Sequence, residues 1–224
     1  MGCLLLASFW VLAGRAARLP VSSRDSGKAV TVAVDPGHGG SDPGMIGVGG
    51  LEEKGINLAI SLRLKAVLEE QGYRVVMTRE KDDGLYDDNA QSKKAQDMQR
   101  RIEKLRETEP ALTVSIHQNS YSDPAVRGPQ VFYYESSAEG KALAEAVQES
   151  LNTGLSVERP RAVKGNTSYY LLKRSPGTLV IVECGFLTNP EEAELLQEEG
   201  YQQRVAEAVA VGISTYLRRN PGKF

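Results

Sequence analysis

Histidine and cysteine are scarce in this chain, with two of each in 224 residues. Cys3 and Cys184 make no disulfide framework, so nothing covalent is expected to staple the fold. A surplus of one charge is also missing. Lys and Arg number 27 against 29 Asp and Glu, giving a net charge of -2 and no basic footprint for a nucleic-acid partner. No solenoid-type repeat and no low-complexity segment occurs. The apolar run at residues 3–13, CLLLASFWVLA, is eleven residues long, well short of the ~20 a spanning helix needs. The short motifs of catalysis are lacking too. There is no HExxH, and the Gly-rich stretch neither ends in Gly-Lys-Ser/Thr nor fits GxGxxG, which argues against a phosphate cradle.

What is present is an ordinary globular composition, 41% apolar and 25% charged, enough for one domain with a substantial core. The run at residues 3–13 suits a secretory h-region or a weak anchor, although Arg15 and Arg18 follow it instead of preceding it. We therefore expect a signal peptide or membrane anchor over 1–18, a polar linker over 19–28 and a catalytic domain over 29–220. Apolar runs alternate with helical periodicities through that domain. Strands are expected at 30–34, 73–78, 111–116, 130–134 and 178–182. Helices are expected at 55–71, 92–107, 137–151, 190–199 and 201–218, with Ser136 or Ser137 capping the third. The segment 159–168 reads as a basic loop, and 169–173 as a helical turn or a short strand. The charge on 92–107 reads as a solvated face, with Met98, Ile102 and Leu105 as its apolar stripe. The fold class is α/β, a mixed, mostly parallel sheet flanked by helices on both faces, with its site at the strand ends.

The two histidines stand out within this frame. His38 lies in the loop DPGHGGSDPG after the first strand. His117 follows the β-branched run Val114-Ser115-Ile116. A hydrolytic zinc site uses three protein ligands and keeps one position open. His38 and His117 offer imidazoles, and Glu53, fifteen residues after His38, offers a carboxylate that the Gly-rich loop can bring back. Glu183, at the end of the last apolar strand, is the candidate general base. Spacing alone leaves other readings open: the histidines as packing residues, Glu183 as a strand-end charge. Cys184 reads as a small buried thiol, because no third histidine is available to activate it.

At these residues the chain resembles the zinc-dependent N-acetylmuramoyl-L-alanine amidases of bacterial cell walls, the amidase-3 type. The resemblance runs through VAVDPGHGGSDPG, LEEKGINLAI, VVMTRE, TVSIHQNS, VIVECGFLTNPEE and YQQRVAEAVAVGISTYL, from about residue 30 to 218. It implies one Zn2+ ion held by His38, Glu53 and His117, with Glu183 as the catalytic glutamate. Asn119 and Arg79 match further recurrent positions, expected to position ligands or substrate. The implied substrate is the peptidoglycan glycan strand with its stem peptide, cut at the amide between N-acetylmuramic acid and L-alanine.

The chain carries no wall-binding repeats and no insertion between Glu53 and His117 long enough for a large autoinhibitory helix. That architecture is most similar to the spore-cortex, germination-specific type, which strips stem peptides so that muramic lactam forms. The expected location is extracytoplasmic, in the cell wall or forespore intermembrane space, with membrane contact only through the N-terminal segment. An activator protein is a further expected partner, and residues 159–174 offer five basic side chains and two tyrosines toward glycan, partner or solvent. The competing readings are another zinc peptidase of similar fold, a general wall-turnover amidase and a non-catalytic wall-binding module.

Overall fold

Side-chain alternation organises the sheet. The computed structural model describes residues 29–223. The expected leader or anchor at 1–18 and linker at 19–28 lie outside them. In β1 (Thr31–Pro36), Val32 and Val34 enter one core while Ala33 enters another. The same two-residue period runs through β3 (Leu112–Asn119) and β6 (Leu179–Phe186). Leu112, Val114, Ile116, Val180, Val182 and Cys184 face the larger core, and Leu179 and Ile181 the smaller. A strand buried on both faces reads as a continuous apolar run, which is why these three are conspicuous in the sequence.

With β2 (Arg74–Met77), β4 (Gln130–Tyr134) and β5 (Lys164–Asn166), the sheet order is β2-β1-β3-β6-β4-β5. The first four are mutually parallel. β4 runs antiparallel to β6, and β5 pairs parallel with β4. Helices α1 (Glu53–Glu70), α3 (Ala138–Gly154) and α6 (Glu199–Arg219) cover the larger core. α2 (Lys93–Thr108) and the short α4 (Tyr170–Arg174) cover the smaller one, and α5 (Pro190–Leu195) follows β6. Ser137 is the cap of α3, accepting a hydrogen bond from the Gly140 amide. None of the helices among the described residues is long and apolar enough to cross a membrane.

Three expectations need correction. β3 and β6 do not end before His117 and at Glu183; they continue to Asn119 and Phe186, so both candidate site residues stand within strands. Central position sustains the strands: the ladder from β3 to β6 carries polar residues past the apolar run, with a register shift between His117 and Asn119. The basic loop at 159–168 contains β5, a three-residue strand with a glycine and no β-branched residue to announce it. The segment after it resolves as the helix α4, not a strand.

The third correction concerns α2, whose charge is not wholly solvated. Arg101 is 1% exposed. Its guanidinium pairs with Asp35 at 2.7 Å and with Asp97 at 2.5 Å, and donates to the carbonyls of Pro36 and His38 at 2.7 Å each. Asp35 also accepts from the Thr78 and Ser115 hydroxyls, both at 2.6 Å. A buried pair needs such additional bonds to offset its desolvation.

Burial pushes the Asp35 carboxyl upward, but the Arg101 charge and the hydroxyl hydrogen bonds outweigh this and hold it at about 2, against 3.8. The folded-state value lies below the unfolded one. The stabilisation is therefore complete above about pH 4 and lost as pH falls through about 2, an amount of roughly 2 kcal/mol. Urea unfolding between about pH 5 and pH 2 is expected to show that decline, and Asp35→Asn to be less stable at the upper end with a flatter acid dependence. Parallel acid profiles for the two proteins would refute the assignment.

Candidate metal centre

The loop leaving β1 is shaped around an imidazole. The Gly37 amide donates to the Ile116 carbonyl at 2.9 Å, keeping the chain beside β3. A Cβ at Gly37 would stand 2.2 Å from the His117 ring, so only glycine passes there. His38 follows in the left-handed region at φ 59°, a conformation uncommon outside glycine and concentrated at functional sites. The loop then returns to the head of α1, where the Glu53 amide donates to the Met45 carbonyl at 3.0 Å. Gly44, at φ 70°, lies where a Cβ would meet the Glu53 carboxylate at 2.5 Å.

Three side chains converge as a result. His38 Nε2 lies 3.2 Å from Glu53 Oε2, and His117 Nδ1 lies 3.0 Å from Glu53 Oε1. The ring centroids of the histidines are 5.0 Å apart and nearly perpendicular. One donor atom from each of the three residues falls within 4.8 Å of the others. Ligands at zinc-type bond lengths stand about 3.3 Å apart around a tetrahedron, and each nitrogen lies close to that distance from one or other oxygen of Glu53. Two imidazole nitrogens and a carboxylate oxygen form a borderline donor set that leaves a coordination position open.

Supporting groups hold this geometry. His38 Nδ1 meets Asp42 Oδ2 at 2.9 Å, which turns Nε2 toward Glu53. Glu53 is 2% exposed and accepts from the Met45 and Gln118 amides and from Asn57 Nδ2. Burial raises its carboxyl, but the hydrogen bonds and charges of His117 and His38 prevail and hold it well below the usual carboxylate range. Burial lowers the His38 imidazole, and Glu53 and Asp42 more than reverse that. Arg79 is buried, its N–H groups given to the carbonyls of Pro36, Gly37, Lys54 and Lys81. It clamps the loop to α1 and does not line the cleft.

The fourth residue comes from the neighbouring strand. The register pairs His117 of β3 with Glu183 of β6. Glu183 is 8% exposed, and its Oε2 has no hydrogen-bond partner among the described residues. Burial is the main cause that pushes its carboxyl up to about 7; His117 works against the shift and Glu53 adds to it. His38, Glu53, His117, Glu183 and Asn119 all line one cleft of about 410 Å³. Asn119 Oδ1 accepts from the Ser120 amide at 2.8 Å. Cys184 points to the opposite face, into the larger core, as expected of an inert thiol.

The sequence reading passed over Asp42, Asn57, Asp35 and Arg101. Asp42 stands four residues after His38 in the same loop, and Asn57 one helical turn after Glu53; both spacings were visible. Arg101 lies on the stripe of Met98, Ile102 and Leu105, where a charge signals a buried partner.

A mixed α/β sheet carrying two imidazoles and two carboxylates in one cleft defines a candidate metallohydrolase. Residues 32–215 match the family described as N-acetylmuramoyl-L-alanine amidase. The germination-specific N-acetylmuramoyl-L-alanine amidase of Bacillus subtilis (strain 168) is 37% identical over 195 residues, 86% of this chain and 81% of that protein. The solved structure of the CwlD amidase from Clostridioides difficile in complex with the GerS lipoprotein superposes with a TM-score of 0.83 at 36% identity, covering 85% of this chain and all of that one. The amidase AmiC2 of Nostoc punctiforme superposes with a TM-score of 0.75, also at 36% identity, over 85% of this chain and 98% of its own. The chain belongs to the N-acetylmuramoyl-L-alanine amidase family.

Asp42→Ala is expected to weaken divalent-metal affinity by about 10- to 100-fold with the fold intact. Calorimetric titration with zinc measures it, and unchanged affinity would remove Asp42 from the role of orienting His38.

Proposed function

We propose that this chain is a zinc-dependent amidase that hydrolyses the bond between the lactyl group of N-acetylmuramic acid and L-alanine of the stem peptide in peptidoglycan. The observation that carries the reading is the meeting of His38, Glu53 and His117 beside a buried carboxylate, Glu183, with an unpartnered oxygen. When bound by those three residues, zinc supplies Lewis acidity toward water and toward the scissile carbonyl. Glu183 takes the proton of the attacking water and hands it to the nitrogen of the leaving L-alanine. Burial favours the protonated form of this carboxyl more than in water, which suits a group that must both take and release a proton. Asn119 faces the cleft as a substrate contact, and Arg79 serves by holding the backbone on which His38 and Glu53 depend.

The proposed setting is outside the cytoplasm, in spore-cortex maturation, where removal of stem peptides allows muramic lactam to form. The germination-specific relative supports this, and the lipoprotein bound to the Clostridioides difficile amidase supports an activator for this chain. Equal identity to AmiC2, whose name carries no germination role, favours a second reading as a general wall-turnover amidase.

Digestion of purified peptidoglycan by the zinc-loaded enzyme, read by mass spectrometry, is expected to release stem peptides with a new L-alanine amino terminus. Release from cortex but not vegetative wall supports the first setting; equal release supports the second. A terminal amino acid as the only product would reject the amidase reading. Glu183→Gln is expected to keep zinc and fold but lose about 100-fold or more in kcat. Near-normal turnover would exclude it as the base. His117→Ala is expected to fail to retain zinc on elemental analysis, and full occupancy would exclude it as a ligand.

A further inference from the structure

β3, β6 and β4 lie side by side, and the cleft lies over β3 and β6, whose His117, Ile181 and Glu183 line it. His117 stands on β3 and Glu183 opposite it on β6. On the next strand, Phe132 of β4 carries Tyr169, whose ring packs at 5.5 Å and 47°. Tyr169 lines the same cleft as His38, Glu53, His117 and Glu183. Crossing the sheet leads from the histidine cluster to the proposed base, and then to β4, where Phe132 pairs with Ile181, two residues before Glu183, and carries the phenol.

The phenol is held in place from behind. The Tyr169 amide donates to Asn166 Oδ1 at 2.7 Å, and the Ser168 amide donates to the same oxygen at 2.8 Å. That turn leads straight into α4, whose Leu171 and Leu172 are buried in the smaller core. Backbone, ring and following helix thus fix Tyr169, yet it remains 37% exposed to the cleft and its hydroxyl has no hydrogen-bond partner among the described residues. Arg101, which also lines the cleft, differs, because its N–H groups go to Asp35, Asp97 and two backbone carbonyls. Burial and the nearby carboxylates of Glu183 and Glu53 all push the phenol upward from its ordinary value. At neutral pH it is accordingly a donor without an acceptor.

The chemistry of the bond to be cut says what that donor meets. The leaving nitrogen must face Glu183 to receive a proton. The histidine cluster lies on one side of Glu183, where the lactyl carbonyl belongs. The other side receives the continuation of the leaving group, the alanine α-carbon and then its carbonyl. We propose that Tyr169 is a substrate-binding residue of this enzyme, donating its phenolic hydrogen to the carbonyl oxygen of the L-alanine residue on the leaving side. This rests on the amidase reading and adds which half of the substrate the β4 side recognises.

Tyr169→Phe removes the hydroxyl and keeps the ring on Phe132. With zinc-loaded enzyme and muropeptide substrate, KM is expected to rise about 3- to 10-fold, kcat to change less, and zinc content to stay the same. Each product is then tested as an inhibitor. The free L-alanyl stem peptide should lose the same factor in the variant, whereas N-acetylmuramic acid should inhibit wild type and variant alike. Unchanged inhibition by the peptide, or equal weakening by both products, would overturn the proposal. Failure of the wild-type enzyme to release stem peptide is a different result, and overturns the amidase reading itself.

Discussion

The buried pair of Arg101 and Asp35 is the interaction on which the site depends. It joins the last turn of β1 to α2, and through the Thr78 and Ser115 hydroxyls it reaches the strands on either side. The same guanidinium holds the carbonyls of Pro36 and His38, the residues between which the chain leaves the sheet. Removing one partner of such a pair strands the other charge in the interior, at a cost of about 3–5 kcal/mol. The His38 loop is rich in glycine and has little packing of its own. Its conformation is imposed by fixed donors beneath it, Arg101 on one side and Arg79 on the other.

The cluster above that foundation is assembled by two independent devices. Strand register sets His117 against Glu183, since neighbouring parallel strands carry them on the same face. Loop geometry brings His38 and Glu53 to them, with Asp42 fixing the ring and Asn57, Gln118 and Met45 fixing the carboxylate. The carboxylate of Glu53 bridges both histidines, so each ligand helps to hold the next. The environments of the two glutamates also diverge. Glu53 is surrounded by donors that favour its ionised form, whereas Glu183 is buried with an unpartnered oxygen and is pushed toward neutrality. One cleft thereby sets a carboxyl favoured in its ionised form beside one pushed toward its neutral form.

Much of this was legible in the sequence because the signals were either periodic or rare. β1, β3 and β6 are double-faced strands whose Val, Ile and Thr residues make them conspicuous in the sequence. Only two histidines exist, which confines any imidazole cluster to a single pair. The Gly-rich loop after His38 made Glu53 a candidate carboxylate, and the resemblance to the amidases implied it as the third ligand. What escaped was contextual. β5 exists because an edge of β4 was open to it, not because Lys164-Gly165-Asn166 favours a strand. Arg101 looked solvated because charge on a helix usually is, and its partner lies 66 residues away in the chain. Tyr169 was one of two tyrosines in a basic segment open to glycan, partner or solvent, and it became specific only once Phe132 and Glu183 were placed beside it.

Glu183 and Cys184 are adjacent in β6 and point to opposite faces, one into the cleft and one into the larger core. A shift of β6 by a single position would exchange them, presenting a thiol to the histidines and driving a carboxylate among aliphatic side chains. Val180 and Val182 in the larger core and Leu179 and Ile181 in the smaller one resist that shift, because it would exchange their faces and require both cores to repack. The aliphatic residues of β6 therefore act as a reading frame for the chemistry. Point changes among similar aliphatics are tolerable there, but insertion or deletion of one residue between Leu179 and Glu183 turns Glu183 out of the cleft while leaving it in the chain.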